Sequence, residues 1–546
     1  MRAGKPTEPG QGVLDALVYK AGGVKVLADA GIVRPVRPDK LLAVAKTLRR
    51  WGRGPASGYI TSALLCPGQT AILDDLGSLT FADVDRRTNA LANSLAATGV
   101  RAGDGVGIMC RNHRGFVEAT VAAAKLGADV LYLNTAFAGP QLAEVVEREG
   151  PTALIYDEEF SGLLDRAGDG RMRFVAWNEG AAADPTLEEL ISAGADRLPP
   201  PPDRIGRTVI LTSGTTGSPK GANRPSPQSL DPVISLLSKF PLKRGQKTVI
   251  AAPLFHTWGF AHFALGLMLN STLVLQRRFD PEATLAAIAR TRADSLVVVP
   301  VMMQRILDLP RETRRRYDTS SLSVVAASGS ALPGDLATDW MDEYGDNLYN
   351  LYGSTEVAQA TIATPADMRA APGTAGSPPR GTVVRLYDEQ GRPVPQGGTG
   401  RIFVGNELQF EGYTGGGTKE EIDGLMATGD VGRFDAAGRL FVEGRDDEMI
   451  VSGGENVFPK EVEDLLARHE AIAEAAALGV PDAEFGQRLL AFVVLKPGAE
   501  VGEEDLKAYV KQNLARYKVP REIRFLDELP RNATGKVLKR SLAETA

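Results

Sequence analysis

T-V-I-L-T-S-G-T-T-G-S-P-K-G, residues Thr208–Gly221, is the stretch with the strongest structural signal in the chain. Its first four residues are mostly β-branched and predict a strand. The next six combine hydroxyl side chains with glycines, which permit positive φ and a close approach of the backbone. Successive backbone N–H groups in such a turn form a concave site for anions. The stretch therefore predicts a strand that runs directly into an anion-binding loop.

The side chains of this loop suit a polyphosphate. The hydroxyls are those of Thr212, Ser213, Thr215 and Thr216, the glycines are Gly214 and Gly217, and the cation is Lys220. The loop is not a Walker loop, because Gly221 and not Ser or Thr follows the lysine. A flexible Ser/Thr/Gly loop is the alternative, but the preceding strand and the closing lysine favour a phosphate-binding loop.

The composition of the chain excludes several classes of protein. Its 546 residues are too many for one core and predict two or more domains. The net charge of −6 gives no reason to expect nucleic-acid binding. Two cysteines exclude a disulfide framework and fit a cytoplasmic compartment. No apolar run reaches the roughly 18 residues of a membrane span, and Met1–Gly12 lacks the apolar core of a signal peptide.

Residues 1–60 predict a helical extension with a strong positive charge, since they contain eleven Lys or Arg against four Asp or Glu. Its second helix, capped by Asp39, would have an apolar side that packs on the protein and a basic side in solvent. The apolar side comprises Leu41, Ala45, Leu48 and Trp51, and the basic side comprises Lys46, Arg49, Arg50 and Arg53. Peripheral contact of the basic side with the inner membrane surface is the second interpretation, and both stay open.

The remaining chain predicts an α/β fold in two parts. Strand and helix patterns alternate over 79–157 and again over 248–327, which predicts parallel βαβ units with helices on both faces. From about Gly373 short strands alternate with tight Gly/Asp/Pro turns, which predicts a small distorted β-barrel over about 373–443. We therefore expect a basic extension (1–60), a large domain of two βα-layered sheets plus the barrel (61–444), and a small α+β domain (445–546).

Five further motifs follow the loop, and each alone is weak, because a histidine beside aromatics is usually core and T-G-D is an ordinary turn. They are P-L-F-H-T-W-G (253–259), Y-N-L-Y-G-S-T-E (349–356), T-G-D (428–430), G-R-D-D-E-M-I-V-S-G-G-E-N (444–456) and P-R-N-A-T-G-K-V (530–537). In this order the set resembles the signature of the adenylate-forming superfamily, which holds acyl-CoA synthetases, peptide-synthetase adenylation domains and beetle luciferases. The resemblance spans Leu79 to Lys536 and is most like a bacterial fatty-acyl-CoA synthetase.

The resemblance implies which residues bind ATP and Mg²⁺. Tyr352, followed by Gly353, would stack on adenine, and Thr355 would contact the α-phosphate. Glu356 would be the Mg²⁺ ligand and would neutralise the phosphate oxygens. Thr212 of the loop is a further catalytic candidate, and the loop would hold the departing pyrophosphate.

The C-terminal motifs resemble the parts of the family that complete the site. Asp430 would bind both ribose hydroxyls, as a carboxylate suits a vicinal diol, and Arg445 would add a ribose contact. Lys536 would stabilise the α-phosphate as charge builds. Asp447 aligns with the hinge of a mobile small domain, and Gly453 and Gly454 would border the path of CoA.

The acid pocket is expected between two segments. By resemblance it comprises His256, Trp258, Gly259 and Phe260 on one side and Ser328 and Gly329 on the other. Amino-acid-activating relatives place an aspartate about where His256 stands, so an amino acid is not expected here. The small and apolar residues from Gly259 to Gly266 favour an aliphatic tail.

We therefore predict a ligase that joins a fatty acid to ATP, releases pyrophosphate, and exchanges AMP for CoA. An acyl-AMP ligase that loads a carrier protein is the first alternative, and a non-catalytic acyl- or nucleotide-binding relative is the second. A luciferase is a distant third. The sequence leaves a homodimer open. One departure from the family pattern is the Gly415–Gly417 run, with Leu425 and Met426 in place of the usual aromatic residue before T-G-D.

Overall fold

The computed structural model describes residues 13–211, 221–223, 229–414, 416–446, 450–452, 455–457, 459–482, 486–514, 518–532 and 535–545. Several predicted site residues lie outside these ranges. They are the loop residues Thr212, Ser213, Gly214, Thr215, Thr216, Gly217 and Lys220, the hinge residue Asp447, and Gly453 and Gly454.

Helices and strands alternate along most of the described chain. The helices are α1 (Val13–Asp29), α2 (Pro38–Trp51), α3 (Pro55–Leu65), α4 (Phe81–Thr98), α5 (Arg114–Leu126), α6 (Gly139–Glu149), α7 (Leu164–Ala167), α8 (Leu187–Ala193), α9 (Asp231–Leu237), α10 (Thr257–Met268), α11 (Pro281–Thr291), α12 (Pro300–Leu307), α13 (Arg311–Arg314), α14 (Gly334–Tyr344), α15 (Pro365–Ala370), α16 (Pro459–Ala467), α17 (Glu503–Asn513) and α18 (Lys539–Ala543), with a 3₁₀ turn at Glu158–Leu163. The strands are β1 (Thr70–Asp74), β2 (Gly77–Thr80), β3 (Gly105–Met109), β4 (Asp129–Tyr132), β5 (Ala153–Asp157), β6 (Met172–Trp177), β7 (Thr208–Leu211), β8 (Gly221–Asn223), β9 (Lys247–Ile250), β10 (Thr272–Leu275), β11 (Ser295–Val298), β12 (Val324–Ala327), β13 (Leu348–Tyr352), β14 (Thr361–Ala363), β15 (Val383–Tyr387), β16 (Thr399–Gly405), β17 (Glu421–Ile422), β18 (Leu425–Phe434), β19 (Leu440–Arg445), β20 (Ile450–Ser452), β21 (Glu455–Val457), β22 (Ile472–Asp482), β23 (Gly486–Leu495) and β24 (Glu522–Phe525).

Two mainly parallel sheets form the larger part of the protein, as the βαβ pattern predicts. One has eight strands in the order β14-β13-β12-β11-β9-β10-β1-β2, and the other has six in the order β6-β5-β3-β4-β7-β8. The strands β14, β2 and β8, at sheet edges, are antiparallel to their neighbours. One core cluster includes Ile72 and Val249 of the first sheet and Val106 and Ile108 of the second. The two sheets therefore share a core.

Local sequence determines where several of these helices begin. The Thr80 hydroxyl accepts a hydrogen bond from the Asp83 N–H (3.1 Å) and so caps α4. The Asp280 carboxylate accepts from the Ala283 N–H (2.7 Å) before Pro281 opens α11. An acceptor side chain and a first-turn proline, in the order that helix N-termini require, therefore set the start of α11.

Two smaller sheets follow in the chain. The first, β15-β16-β18-β17 with β19 on β18, is antiparallel throughout, as the tight turns after Gly373 predict. The second has the strand order β21-β20-β23-β22, with β24 paired to β23. Helices α16 and α17 pack with this sheet in one hydrophobic cluster, and α18 packs with it in another. The protein is thus a mixed α/β structure with a large N-terminal domain of sheets and a smaller C-terminal domain. The exact division at 60 and 444 stays a prediction.

The N-terminal helices differ from the sequence-based expectation. The two helices expected within residues 13–55 are α1 and α2, and a third helix, α3, follows them before β1. Asp39 does not cap α2, because Arg37 stands at the N-cap without a side-chain bond. On α2 Thr47 and Trp51 are buried, whereas Leu41 and Leu48 are exposed. The predicted packing side of α2 was therefore wrong except at Trp51. Among the described helices, none is long and apolar enough to cross a membrane.

Candidate active site

Four neighbouring parallel strands bring the predicted motifs to one edge of the eight-stranded sheet. The strands β9, β11, β12 and β13 are adjacent and parallel. The motif 253–259 follows β9, Ser328 and Gly329 follow β12, and the residues from Gly353 to Glu356 follow β13. Ligands of open α/β sheets bind beyond the carboxyl ends of the strands. The sheet order thus collects residues that lie up to a hundred positions apart.

The end of β11 is the meeting point of three predicted segments. The Trp258 indole N–H donates to the Val298 carbonyl (3.1 Å). A Cβ on Gly329 would lie 3.2 Å from Val299 Cγ1, and a Cβ on Gly535 would lie 3.8 Å from Val299 Cγ2. Val298 and Val299 are therefore in contact with three segments. Two of them are the sides of the predicted acid pocket, and the third carries Lys536.

Asn532, Gly535 and Lys536 close a hydrogen-bonded turn that packs on the large domain through Gly535. The Lys536 N–H donates to Asn532 Oδ1 (2.9 Å), and the Asn532 N–H donates back to the Lys536 carbonyl (2.9 Å). Gly535 has φ +78°, and a Cβ there would come 2.3 Å from Val301 Cγ1. Both the backbone conformation and the close approach require glycine at this position. The turn places Lys536 at the sheet edge that carries the other motifs.

Tyr352 and Asp430 are joined directly, although 78 residues separate them. The Tyr352 hydroxyl donates to Asp430 Oδ2 (2.6 Å), and Arg445 Nη1 lies 3.5 Å from Asp430 Oδ1. Burial, and next the Asp430 carboxylate, raise the pKa of Tyr352 well above its ordinary value, so this hydroxyl is the donor. The contact fixes the orientation of the Asp430 carboxylate. Stacking of Tyr352 on adenine stays a prediction.

Glu356 has a partner that sequence reasoning missed. The Tyr413 hydroxyl donates to Glu356 Oε1 (2.9 Å), and the Phe410 N–H donates to the Glu356 carbonyl (2.9 Å). The Tyr413–Thr414 segment is held in turn by β8, because the Thr414 N–H donates to the Gly221 carbonyl (2.8 Å). Gly221 is the last residue of the predicted phosphate-loop stretch, so Glu356 is tied to the end of that loop. The sole sequence signal was a tyrosine in the unusual segment 412–417.

A tight turn presents Glu356. The Ala358 N–H donates to the Ser354 carbonyl (2.8 Å), and the Ala360 N–H donates to the Tyr352 carbonyl (2.8 Å). A Cβ on Gly353 would lie 2.2 Å from the Ala358 carbonyl oxygen, so the chain can fold back only at a glycine. The same turn brings the Thr355 hydroxyl within 3.4 Å of the Thr257 hydroxyl at the start of α10. The nucleotide and acid segments therefore touch here.

Helix α10 divides the apolar segment 259–266 between two environments. Phe263 and Leu265 are 0% and 5% exposed and belong to the main core, where Phe263 lies 6.4 Å from the Tyr59 ring. Phe260, Ala261 and Ala264 are only partly buried and lie on the other side of the helix. Most of the residues that favoured an aliphatic tail thus pack in the core, and the prediction loses that support.

The first turn of α10 explains two more predicted pocket residues. Gly259 is buried, and a Cβ there would lie 2.2 Å from the Pro253 carbonyl oxygen, so packing between segments requires this glycine. Trp258 is 8% exposed and lies edge-on to the His262 ring at 4.5 Å. Both residues support the side of the pocket from behind, whereas Phe260 presents a partly exposed ring stacked obliquely on Tyr132 at 5.2 Å.

His256 stands at the N-cap of α10 with an unusual imidazole. Among the described residues, no atom forms a hydrogen bond with its buried Nε2. Burial lowers the pKa of His256 to about 4 and that of His262 to about 3. His256 is therefore neutral at pH 7, and its ring presents an unpaired polar atom within an otherwise apolar surface.

Asn112 is a positioning residue that sequence reasoning did not identify. Its amide donates to the carbonyls of Ile250 (3.0 Å) and Ala252 (2.9 Å), and its oxygen accepts from the Leu254 N–H (2.8 Å). Three hydrogen bonds from one buried side chain hold the segment that leads into His256. Asn112 follows β3 of the other sheet, so no local pattern connects it with this segment.

A second cluster of reactive side chains does not form a metal site. The ligand atoms of Cys110, His113 and Asp157 lie within 4.8 Å of one another, and all three residues are buried. The Gly115 N–H donates to His113 Nδ1 (3.0 Å), so the ring proton is on Nε2, which lies 2.8 Å from Asp157 Oδ1. Both ring nitrogens are engaged, and burial raises the pKa of the Cys110 thiol. The cluster joins β3, α5 and β5 and is structural.

Known proteins resemble this chain over most of its length. The AMP-binding enzyme family model matches residues 61–414, and the AMP-binding enzyme C-terminal domain model matches 461–536. A feruloyl-CoA synthase of an Amycolatopsis species is 34% identical over 89% of this chain and 98% of its own length. An indoleacetate–CoA ligase of Aromatoleum aromaticum is 32% identical over 87% of this chain and 94% of its own length.

A solved structure extends the likeness to three dimensions. The anthranilate CoA ligase AuaEII in complex with anthranoyl-AMP is 26% identical, superposes with a TM-score of 0.81, and covers 90% of this chain and 97% of its own. The predicted superfamily and fold class are confirmed, whereas the predicted fatty-acyl substrate is not. The chain belongs to the AMP-binding enzyme family of adenylate-forming enzymes, and the three similar proteins named above are CoA ligases or synthases.

Proposed function

We propose that this adenylate-forming CoA ligase activates an apolar carboxylic acid with an aromatic ring. The acid would attack the α-phosphate of ATP, giving an acyl-AMP and pyrophosphate. The thiol of CoA would then attack the acyl carbon, giving a thioester and AMP. ATP and CoA use follow from the family, whereas the aromatic acid, the residue roles and Mg²⁺ are parts of the proposal.

One observation carries the proposal. Trp258, Gly329 and Gly535 meet at Val298 and Val299, and Thr257 meets Thr355 beside them. The first two belong to the predicted acid pocket, Gly535 precedes Lys536, and Thr355 belongs to the adenine motif. A carboxylate bound against this strand end would be close to both the α-phosphate contact and the lysine, as in-line transfer requires.

The polar residues suit the charge that develops in such a reaction. Lys536 would stabilise the α-phosphate, and the Asp430 carboxylate, oriented by Tyr352 and Arg445, would accept hydrogen bonds from the ribose. Glu356 fits Mg²⁺, because a carboxylate is a hard oxygen ligand and the described residues engage only its Oε1 by hydrogen bonding. Mg²⁺, when bound, would neutralise phosphate charge. Thr212 and Lys220 keep their predicted phosphate contacts.

The aromatic preference rests on the partly buried side of α10, where Phe260 lies at the edge of the core. That side offers the Phe260 ring, the small Ala261 and Ala264, and the neutral imidazole of His256. Aromatic rings pack favourably against rings in offset or edge-on geometry. The feruloyl, indoleacetate and anthranilate names of the relatives agree with this choice.

An acid panel tests the proposal. AMP release with CoA should be faster with ferulate, indole-3-acetate or benzoate than with octanoate or palmitate, and a free amino acid should not react. A faster rate with octanoate or palmitate would restore the fatty-acyl prediction and refute the aromatic one.

Two further measurements separate the alternative functions. Formation of a thioester with free CoA excludes a ligase that acts only on a carrier protein. Acid-dependent exchange of pyrophosphate into ATP excludes a non-catalytic binding protein. The proposal fails if no acid of the panel supports exchange.

A further inference from the structure

Helix α2 exposes a row of leucines to solvent. Leu41, Leu42 and Leu48 are 58%, 58% and 40% exposed, and we call them together the leucine face. Leucine side chains are normally stabilised by removal from water, so their exposure here is unfavourable for the isolated chain. Three on one short helix are a larger apolar patch than scattered surface residues normally form.

The packing of α2 shows that this exposure is built into the fold. The Lys40 ammonium donates to the Leu64 carbonyl at the end of α3 (2.8 Å). Thr47 and Trp51 are buried on the side that packs on α3. These contacts fix the rotation of α2 and direct the leucine face outward.

Basic side chains accompany the leucines on the exposed side. Lys46, Arg49 and Arg50 are exposed, and within the described ranges no carboxylate forms an ion pair with them. Asp39, the acidic residue of α2, is already paired with Arg37 (3.1 Å). The face therefore combines apolar side chains with uncompensated positive charge.

Two further exposed apolar side chains lie near the ends of the helix. Val33, five residues before α2, is 50% exposed. Ile205 is 48% exposed and packs on Gly52 at the other end, where a Cβ would lie 2.3 Å from Ile205 Cδ1. The α2 helix alone is about 21 Å long at the usual rise per residue. The exposed side of α2 is thus long enough to make an extended contact with a flat surface.

We propose that the leucine face and its basic residues dock on an anionic phospholipid bilayer. A helix that lies in the interface inserts its apolar side chains among the acyl chains, while lysines and arginines pair with anionic headgroups. A free phosphate would need no leucines. A symmetric contact between two copies through this face would bring Lys46, Arg49 and Arg50 of both copies together, which is unfavourable. This proposal is independent of the acid that the enzyme activates.

Co-sedimentation of the full chain with vesicles tests it. The protein should bind vesicles of phosphatidylcholine mixed with phosphatidylglycerol, bind phosphatidylcholine alone weakly, and dissociate at high NaCl. Arg49→Glu with Arg50→Glu should weaken binding about 30-fold or more, since each basic residue contributes roughly fivefold. Leu41→Gln, Leu42→Gln and Leu48→Gln together should weaken it about tenfold or more.

Matched variants distinguish this face from general surface properties. Leu76→Gln removes a leucine that is 61% exposed in the β1–β2 turn, and Arg315→Glu with Arg316→Glu reverses another exposed basic pair. Both should bind vesicles like the wild type. All variants should keep the melting temperature and the lipid-free rate of the wild type, because α2 lies outside the proposed site.

Several results would overturn the proposal. Absence of wild-type binding to the anionic vesicles would do so, as would equal binding of the α2 variants. An equal loss in the control variants would show that the face has no special role. A wild-type dimer in sedimentation velocity that the leucine variant converts to monomer, without vesicle binding, would assign the face to a second copy of the chain.

Discussion

The nucleotide side and the acid side of the proposed site are built in opposite ways. On the nucleotide side, Tyr352, Asp430, Glu356 and Tyr413 form short polar contacts between residues 57 and 78 positions apart. On the acid side, Phe260 and the small residues of α10 contribute apolar surface beside the His256 imidazole, whose Nε2 has no hydrogen-bond partner among the described residues. Directional contacts make the first region intolerant of change, whereas the second can vary in shape. We therefore expect changes on the nucleotide side to slow every acid alike, and changes on the acid side to alter the preference between acids.

The largest effect is expected at Lys536. Lys536→Ala should slow acyl-AMP formation by roughly 10²–10³ for every acid, the usual loss for one well-placed electrostatic group. Thioester formation from supplied acyl-AMP should remain nearly intact. Lys539→Ala is the control. Lys539 lies three residues after Lys536, and its ammonium pairs with the Glu463 carboxylate (2.9 Å). Pyrophosphate exchange and acyl transfer are measured separately.

Gly453→Leu is the reciprocal variant, although Gly453 lies outside the described residues. It should keep exchange and lose acyl transfer by filling the predicted CoA path. Equal damage to both half-reactions in Lys536→Ala would contradict the proposed role of a mobile small domain.

Glu356→Gln is expected to have the next largest effect. It keeps the shape of the side chain but removes the charge that would hold Mg²⁺, so adenylation should fall about 10²-fold. The activity should also need more Mg²⁺ for half-saturation, again with no change in acid preference. Glu407→Gln, outside the site, is the control. A wild-type rate at limiting Mg²⁺ would show that the metal assignment is wrong.

Phe260→Ala and Phe263→Ala compare two sides of one helix. Phe260→Ala should lower kcat/KM for ferulate relative to octanoate by roughly tenfold and leave the KM for ATP unchanged, because an apolar pocket discriminates by shape. Phe263 is 0% exposed, so Phe263→Ala should instead lower the free energy of unfolding by about 3–5 kcal/mol. The acid panel and urea unfolding measure the two effects. An unchanged acid ratio in Phe260→Ala would remove this ring from the pocket.

Tyr413→Phe sharpens the account of Glu356. Loss of one hydrogen bond to a carboxylate should reduce adenylation by about 3- to 10-fold. The reduction should be smaller in the Glu356→Gln background, because the two residues act on one contact. Steady-state kinetics of the two single variants and the double variant form the test. Full additivity would mean that Tyr413 does not act through Glu356.

The smallest effect is on the pH dependence of stability. The folded pKa of His262 is lowered to about 3 and that of His256 to about 4, below the ordinary 6.5, so protons bind preferentially to the unfolded chain. Their stabilising contribution is complete above pH 6.5 and is lost as the pH falls towards about 4. Between about pH 6.5 and 5, the free energy of unfolding measured in urea should fall less steeply with falling pH in His262→Gln than in the wild type. The two slopes should differ by up to about 1.4 kcal/mol per pH unit. Parallel curves would contradict the buried neutral imidazole.

Most residues of the candidate site could be proposed from the sequence because their chemistry is carried by residue type and order. Asp430 and Glu356 were identified from short motifs, and the strands that carry them follow from β-branched runs. Tyr413 and Asn112 were missed, because their partners are 57 and more than a hundred residues away and no periodic pattern marks them. A hydrogen bond between distant side chains depends on strand order, which a local pattern does not contain.

The sequence by itself determined the family, the parallel α/β character and the identity of the charged groups, since these follow from residue type, residue order and hydrophobic pattern. Only the tertiary structure decided which apolar side chains are buried. Phe263 of α10 packs in the core while Phe260 stays accessible, and Leu41 and Leu48 of α2 face solvent where periodicity predicted packing. Burial is a property of neighbours: the Lys40 contact with Leu64 and the packing of Trp51 set the rotation of α2. Amphipathic periodicity identifies a helix and its apolar stripe, but the contacts around the helix decide which side is covered.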